Sequence, residues 1–82
     1  MKLEFINSAT SDTFEADCEA DCTASIAVQG LIDAGFVEKP RRGSYDLVRE
    51  KTEEAIPPNV TFQDAGVQPG DRLNVYHRGS GA

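Results

Sequence analysis

One amphipathic segment limits what this chain can fold into more than any other: Ala24-Ser25-Ile26-Ala27-Val28-Gln29-Gly30-Leu31-Ile32-Asp33-Ala34. At a 3.6-residue period, Ala24, Ala27, Val28, Leu31 and Ala34 fall on one side and Ser25, Gln29 and Asp33 on the other. Thr23 supplies an N-cap hydroxyl, Gly35 stands where a left-handed C-terminal cap belongs, and Pro40 blocks continuation. A helix over about residues 23–35 is therefore predicted. The segments around it alternate with a period of two instead. Leu3 and Phe5 share one face, as do Phe14, Ala16, Cys18 and Ala20, then Tyr45 and Leu47, then Leu73 and Val75. A lone helix with one apolar stripe buries it by lying on a sheet, and the sheet needs the same cover. The expected class is α+β, with a mixed sheet of four or five strands and one main helix packed on one face.

The connections fit that plan. Ser8-Ala9-Thr10-Ser11-Asp12 is small and polar, as a hairpin turn requires. Glu50 to Asn59 contains Pro57-Pro58 and reads as irregular, with a short strand or turn at its start. Thr61 to Val67 reads as one helical turn capped by Thr61, and Gln68-Pro69-Gly70-Asp71 as a tight turn into the last strand, Arg72 to Tyr76. The first and last strands are expected side by side and parallel at the sheet centre. The expected core is Leu3, Phe5, Phe14, Ala27, Val28, Leu31, Tyr45, Leu47, Phe62, Val67, Leu73 and Val75. One domain accounts for the 82 residues, and a chain this short buries only roughly 60–65% of its unfolded surface.

Charge and cysteine use narrow the function classes. The net charge of −6 argues against nucleic acid or an anionic membrane as partner. Residues 1–38 hold Lys2 against eight acids, whereas residues 39–82 hold seven bases against six acids. No apolar run approaches the roughly 20 residues that cross a bilayer. Met1-Lys2-Leu3-Glu4 does not open a secretory leader, so a cytoplasmic protein is expected. Glu15, Asp17, Glu19 and Asp21 line one face of the second alternating segment, and such a row protects a sheet edge more readily than it binds a cation. Cys18 and Cys22 with His77 fall short of the four ligands of a zinc site, so no metal is expected and the thiols are read as reduced. Cys22 lies near the helix start, but no base accompanies it. Without a nucleophile–base pair elsewhere, the chain is not expected to be an enzyme and needs no cofactor.

This order of elements resembles the β-grasp of ubiquitin-like proteins across nearly the whole chain. Thr23 opens the helix about where ubiquitin's helix opens. Thr61-Phe62-Gln63-Asp64-Ala65-Gly66-Val67 is similar to the turn before ubiquitin's last strand, and Gly70-Asp71-Arg72-Leu73-Asn74-Val75 to the lead into that strand. Asp64-Ala65-Gly66-Val67 with Pro69-Gly70-Asp71-Arg72-Leu73 resembles the bacterial YukD-like branch. YukD-like proteins stop soon after the final strand and are not conjugated, whereas this sequence continues through Tyr76-His77-Arg78-Gly79-Ser80-Gly81-Ala82. In that respect it resembles a bacterial ubiquitin-like modifier.

The resemblance implies a division into a β-grasp domain over 1–77 and a flexible tail over 78–82. By it, Arg78 corresponds to the arginine that activating enzymes inspect, with Gly79 and Ser80 giving reach. Gly81-Ala82 takes the place of the terminal diglycine, so the acyl donor is Ala82, or Gly81 after trimming by a peptidase. Tyr76, His77 and Arg72 are expected to form the docking surface. The partners implied are an adenylating activating enzyme, a conjugating enzyme and a target, joined in the end by an isopeptide bond. Two alternatives stand beside this: a non-conjugated YukD-like adaptor, and a sulfur carrier, whose relatives usually end in diglycine. Asp46 lies at or near one position of the apolar patch that ubiquitin's readers use, leaving Tyr76 as the apolar replacement.

Overall fold

The structure, a computed structural model, describes residues 1–78. Its elements are β1 (Lys2–Asn7), β2 (Thr13–Asp17), α1 (Ala24–Asp33), β3 (Ser44–Arg49), β4 (Ala55–Ile56) and β5 (Arg72–Arg78). They form one five-stranded mixed sheet in the order β2-β1-β5-β3-β4, with α1 across one face. The expected hairpin pairs Leu3 with Ala16 and Phe5 with Phe14. The central pair is parallel, running from Glu4↔Arg72 to Asn7↔Val75. β3 runs antiparallel to β5 from Ser44↔Arg78 to Arg49↔Leu73.

Both ends of α1 are fixed by the residues that announced them. Thr23 Oγ1 accepts a hydrogen bond from the Ile26 amide at 3.3 Å. At the other end Gly35 takes φ +78°, and its amide reaches Ile32 O while the Phe36 amide reaches Leu31 O, both at 3.0 Å. That pair of bonds is a Schellman closure, which satisfies helix carbonyls otherwise left without donors. Thr61 to Val67 repeats the device in miniature. The Asp64 amide caps on Thr61 Oγ1 at 3.0 Å, Gly66 takes φ +78°, and the Val67 amide closes on Phe62 O at 2.9 Å. It is a capped turn without a regular helix. It is fastened to the start of α1 by Phe62 N–H to Cys22 O and Ala24 N–H to Val60 O.

The core lies between α1 and the sheet: Leu3, Phe5, Ala24, Leu31, Val37, Leu47, Ile56, Phe62, Val67, Leu73 and Val75. Four of the expected core residues, Phe14, Ala27, Val28 and Tyr45, are only half-buried. Phe14 stands on the edge strand β2 and stacks on Phe36, with centroids 5.4 Å apart. Tyr45 directs its hydroxyl to Glu38 O at 2.7 Å. Val37 and Ile56 complete the core from a connection and a two-residue strand, where no periodicity could announce them.

The acidic row is shorter than its alternation implies. β2 ends at Asp17, where the Cys18 amide bonds Met1 O at 2.7 Å, so Glu19 and Asp21 lie beyond the sheet. The two acids that remain, Glu15 and Asp17, face Lys2 Nζ at 3.8 Å and the N-terminal ammonium at 3.0 Å. These are exposed pairs, and such pairs contribute little to stability.

Candidate functional site

The site lies along the second half of β5. Leu73 and Val75 point under α1, so the pleat turns Arg72, Asn74, Tyr76 and Arg78 to the opposite, helix-free face. Tyr76 is 46% exposed, an unusual exposure for a large side chain in the middle of a sheet. The register places Tyr76 beside Asp46, and Asn74 between Ile6 and Val48. Ile6 and Val48 are half-buried on this same face, so with Tyr76 they make a small strip of three apolar residues around Asn74. The sequence reading passed over both residues. Their signal was an apolar residue out of phase with its strand, Ile6 after Phe5 and Val48 after Leu47.

Arg72 closes one end of the strip. Its Nε lies 3.0 Å from Glu4 Oε1 and its Nη1 3.2 Å from Glu50 Oε1, an ion row running from β1 across β5 to the residue that follows β3. Both bonds hold Arg72 within the sheet surface. Arg78 closes the other end, with Nε 3.6 Å from Asp46 Oδ2 and 64% of the side chain exposed. At that distance the contact is an ion pair rather than a hydrogen bond, which leaves the guanidinium open to a carboxylate or a backbone carbonyl.

The structure divides the expected docking group. Tyr76 and Arg72 share the helix-free face, but His77 follows the phase of Leu73 and Val75 and lies on the other side. Its ring is 5.3 Å from that of Tyr45, and its Nε2 is 3.2 Å from Arg42 O. Arg78 also requires a correction, because it was expected to open the flexible tail. It is the last residue of β5, paired with Ser44, so the folded strand runs one residue further than 1–77. Gly79, Ser80, Gly81 and Ala82 lie outside the described residues.

The two thiols sit at the opposite edge. Cys18 and Cys22 are free and half-buried against the core. Burial pushes the Cys18 thiol up, with Cys22 and Asp17 adding to the shift and the N-terminal ammonium opposing it. Burial also raises Cys22, reinforced by Asp21 and Glu19. The start of α1 does not activate Cys22; its surroundings hold the thiol protonated, the opposite of a nucleophile's needs. Among the described residues no group of three or more His, Cys, Asp or Glu side chains could hold a metal ion. No helix among them is long and apolar enough to cross a membrane.

Comparison with known structures places this geometry. A protein designed de novo on the basis of ubiquitin superposes with a TM-score of 0.78 at 18% identity, over 99% of this chain and 92% of that one. The ubiquitin of Caldiarchaeum subterraneum superposes with a TM-score of 0.76 at 17% identity, over 100% of this chain and 98% of that one. No protein-family model matches the sequence. No curated protein matches it either. The fold is the ubiquitin-like β-grasp, and at these identities the likeness speaks for the fold alone.

Proposed function

We propose that this chain is a ubiquitin-like modifier of the bacterial kind, acting through the carboxyl group of Ala82, or of Gly81 after trimming by a peptidase. An activating enzyme joins that carboxylate to AMP from ATP and releases pyrophosphate. An enzyme nucleophile then displaces AMP, and a conjugating enzyme passes the acyl group to an amine on the target, forming an isopeptide bond. The chain itself supplies no catalytic group in this scheme. It contributes a folded body for docking and a narrow peptide for the reacting end.

One observation carries the reading. The central strand β5 ends in three exposed residues, Tyr76, His77 and Arg78, directly before Gly79-Ser80-Gly81-Ala82 in the sequence. Glycine and serine offer little side chain to obstruct a channel, and Arg78 stands where a charged handle is useful. The docking strip is Ile6, Val48 and Tyr76, with Arg78 at its tail end.

Reconstitution with the chain's own genomic partners tests this. ATP–pyrophosphate exchange should require the tail, and deleting Gly81 and Ala82 together should abolish exchange while the melting temperature stays unchanged. Arg78→Glu should weaken exchange without unfolding the domain. Mass spectrometry of the adduct identifies Gly81 or Ala82 as the acyl donor, and a thiocarboxylate on the chain would mark a sulfur carrier instead. If the truncated chain still forms adducts, or the intact chain forms none, the YukD-like adaptor reading takes its place.

A further inference from the structure

A second binding feature lies at the β3 edge on the helix side of the sheet, meeting the Tyr76 strip only at Asp46 and Arg78. Between α1 and β3 runs a cleft of about 310 Å³ whose apolar lining includes Val28, Ile32, Pro40, Leu47, Ile56 and Pro58. Along it, the backbone of β3 is only partly paired. The Glu50 amide bonds Arg72 O at 2.9 Å, whereas the Arg49 amide bonds Glu54 O at 2.9 Å on the other side. Alternate residues of an antiparallel ladder turn their N–H and C=O the same way. Ser44, Asp46 and Val48 therefore bond toward β5, while Tyr45 and Leu47 turn toward β4. Leu47 pairs with Ile56 there. The same register would set Pro58 opposite Tyr45, but proline has no amide hydrogen, and Pro58 O already accepts from the Ser25 amide at 3.1 Å. The short strand β4 stops, and the N–H and C=O of Tyr45 face the cleft.

The rim has a sign. Lys39 and Arg78 line it, and Arg42 follows in the same loop. Among the described residues Lys39, Arg41 and Arg42 make no ion pair, and the acid on this rim, Asp46, already faces Arg78. In a chain of net charge −6, this end is locally basic.

We propose that the cleft takes an extended peptide segment of a partner protein, which adds to β3 through Tyr45. The segment places an apolar side chain against Val28 and Ile32 and a carboxylate side chain near Lys39 and Arg42. Backbone pairing supplies affinity in this mode, and the pocket and the rim charge supply selectivity. The site shares Arg78 with the proposed docking strip but needs no residue after it and no adenylation, so its fate and that of the modifier reading are decided separately.

The test is a titration of isotope-labelled full-length protein with the blocked hexapeptide Thr-Val-Thr-Val-Glu-Glu and with its Lys-Lys counterpart, followed by amide NMR. The largest shifts should fall on Val28, Ile32 and Tyr45, and exchange of the Tyr45 amide should slow. The glutamate peptide should bind about fivefold more tightly, the scale of a partly screened ion pair. The double variant Lys39→Glu, Arg42→Glu should invert that preference with its melting temperature unchanged. Shifts centred on Tyr76, or an absence of shifts at millimolar peptide, would overturn the proposal. So would self-association of the peptide-free protein through the same residues, because the occupant would then be a second copy.

Discussion

The two ends of β5 are built for different purposes. At its start, Asp71 Oδ2 accepts from the Gln68 amide at 2.9 Å and from Arg49 Nη2 at 3.1 Å, while Arg49 Nη1 bonds Ala65 O at 3.3 Å. Both charged side chains are only 15% exposed, and Arg49 Nε is buried without a hydrogen-bond partner among the described residues. Gly70 takes φ +86° and its amide bonds Lys2 O at 2.7 Å, so the turn is fastened to β1 as well. At its end, none of the described residues after Val75 is buried, and among them the Arg78 side chain makes one ion pair, at 3.6 Å. The Gly70-Asp71-Arg72-Leu73 segment, which did much to suggest the family, is thus a folding corner. Its resemblance speaks for the fold, and only the far end of the strand is free to speak for function.

Substitutions along β5 can break this contrast. Leu73→Ala removes a side chain with no exposure and should cost about 2–5 kcal/mol in denaturant unfolding. Asp71→Asn leaves Arg49 charged, nearly buried and without its counter-ion, and should cost about 2–3 kcal/mol. Tyr76→Ala should cost under ~1 kcal/mol, because its ring sits on an open face. Arg78→Ala should change stability by less than ~0.5 kcal/mol, since an exposed ion pair is screened by water. If Arg78→Ala costs as much as Asp71→Asn, the end of the strand is structural too and the contrast collapses. Unchanged stability in both would show that the corner is held by its turn backbone rather than by the charge.

The parts of the fold legible in the sequence were those in which a local pattern and its cap agree. α1 is marked by Thr23, Gly35 and a helical stripe, and its structural limits fall within two residues of the reading. The parallel β1–β5 pair follows from where one helix and the apolar faces must go. Val37 and Ile56 escaped notice because burial in a connection leaves no period. Phe14 and Tyr45 were placed too deep because alternation reports the face a residue occupies, not its distance from the sheet edge. At the candidate site, the exposure of Tyr76 followed from strand parity. The same parity separates His77 from it, a consequence the sequence already contained once β5 was extended to Arg78. The open edge at Tyr45 was not legible at all, because it depends on which side of β3 each amide faces.

The central pairing of β1 with β5 also bears on the order in which the molecule can assemble. Glu4 and Arg72, neighbours across the sheet, are 68 positions apart in the chain. Loop-closure entropy opposes so distant a contact, and domains dominated by such contacts fold more slowly than those built from local ones. During synthesis the β1–β2 hairpin and α1 can form early, but the middle of the sheet stays vacant until β5 has been made. A ribosome halted before residue 72 therefore holds a chain in which the inner edge of β1 is unpaired. Cooperative folding becomes available only once the strand carrying the proposed docking residues has emerged, so the body and its docking surface mature together.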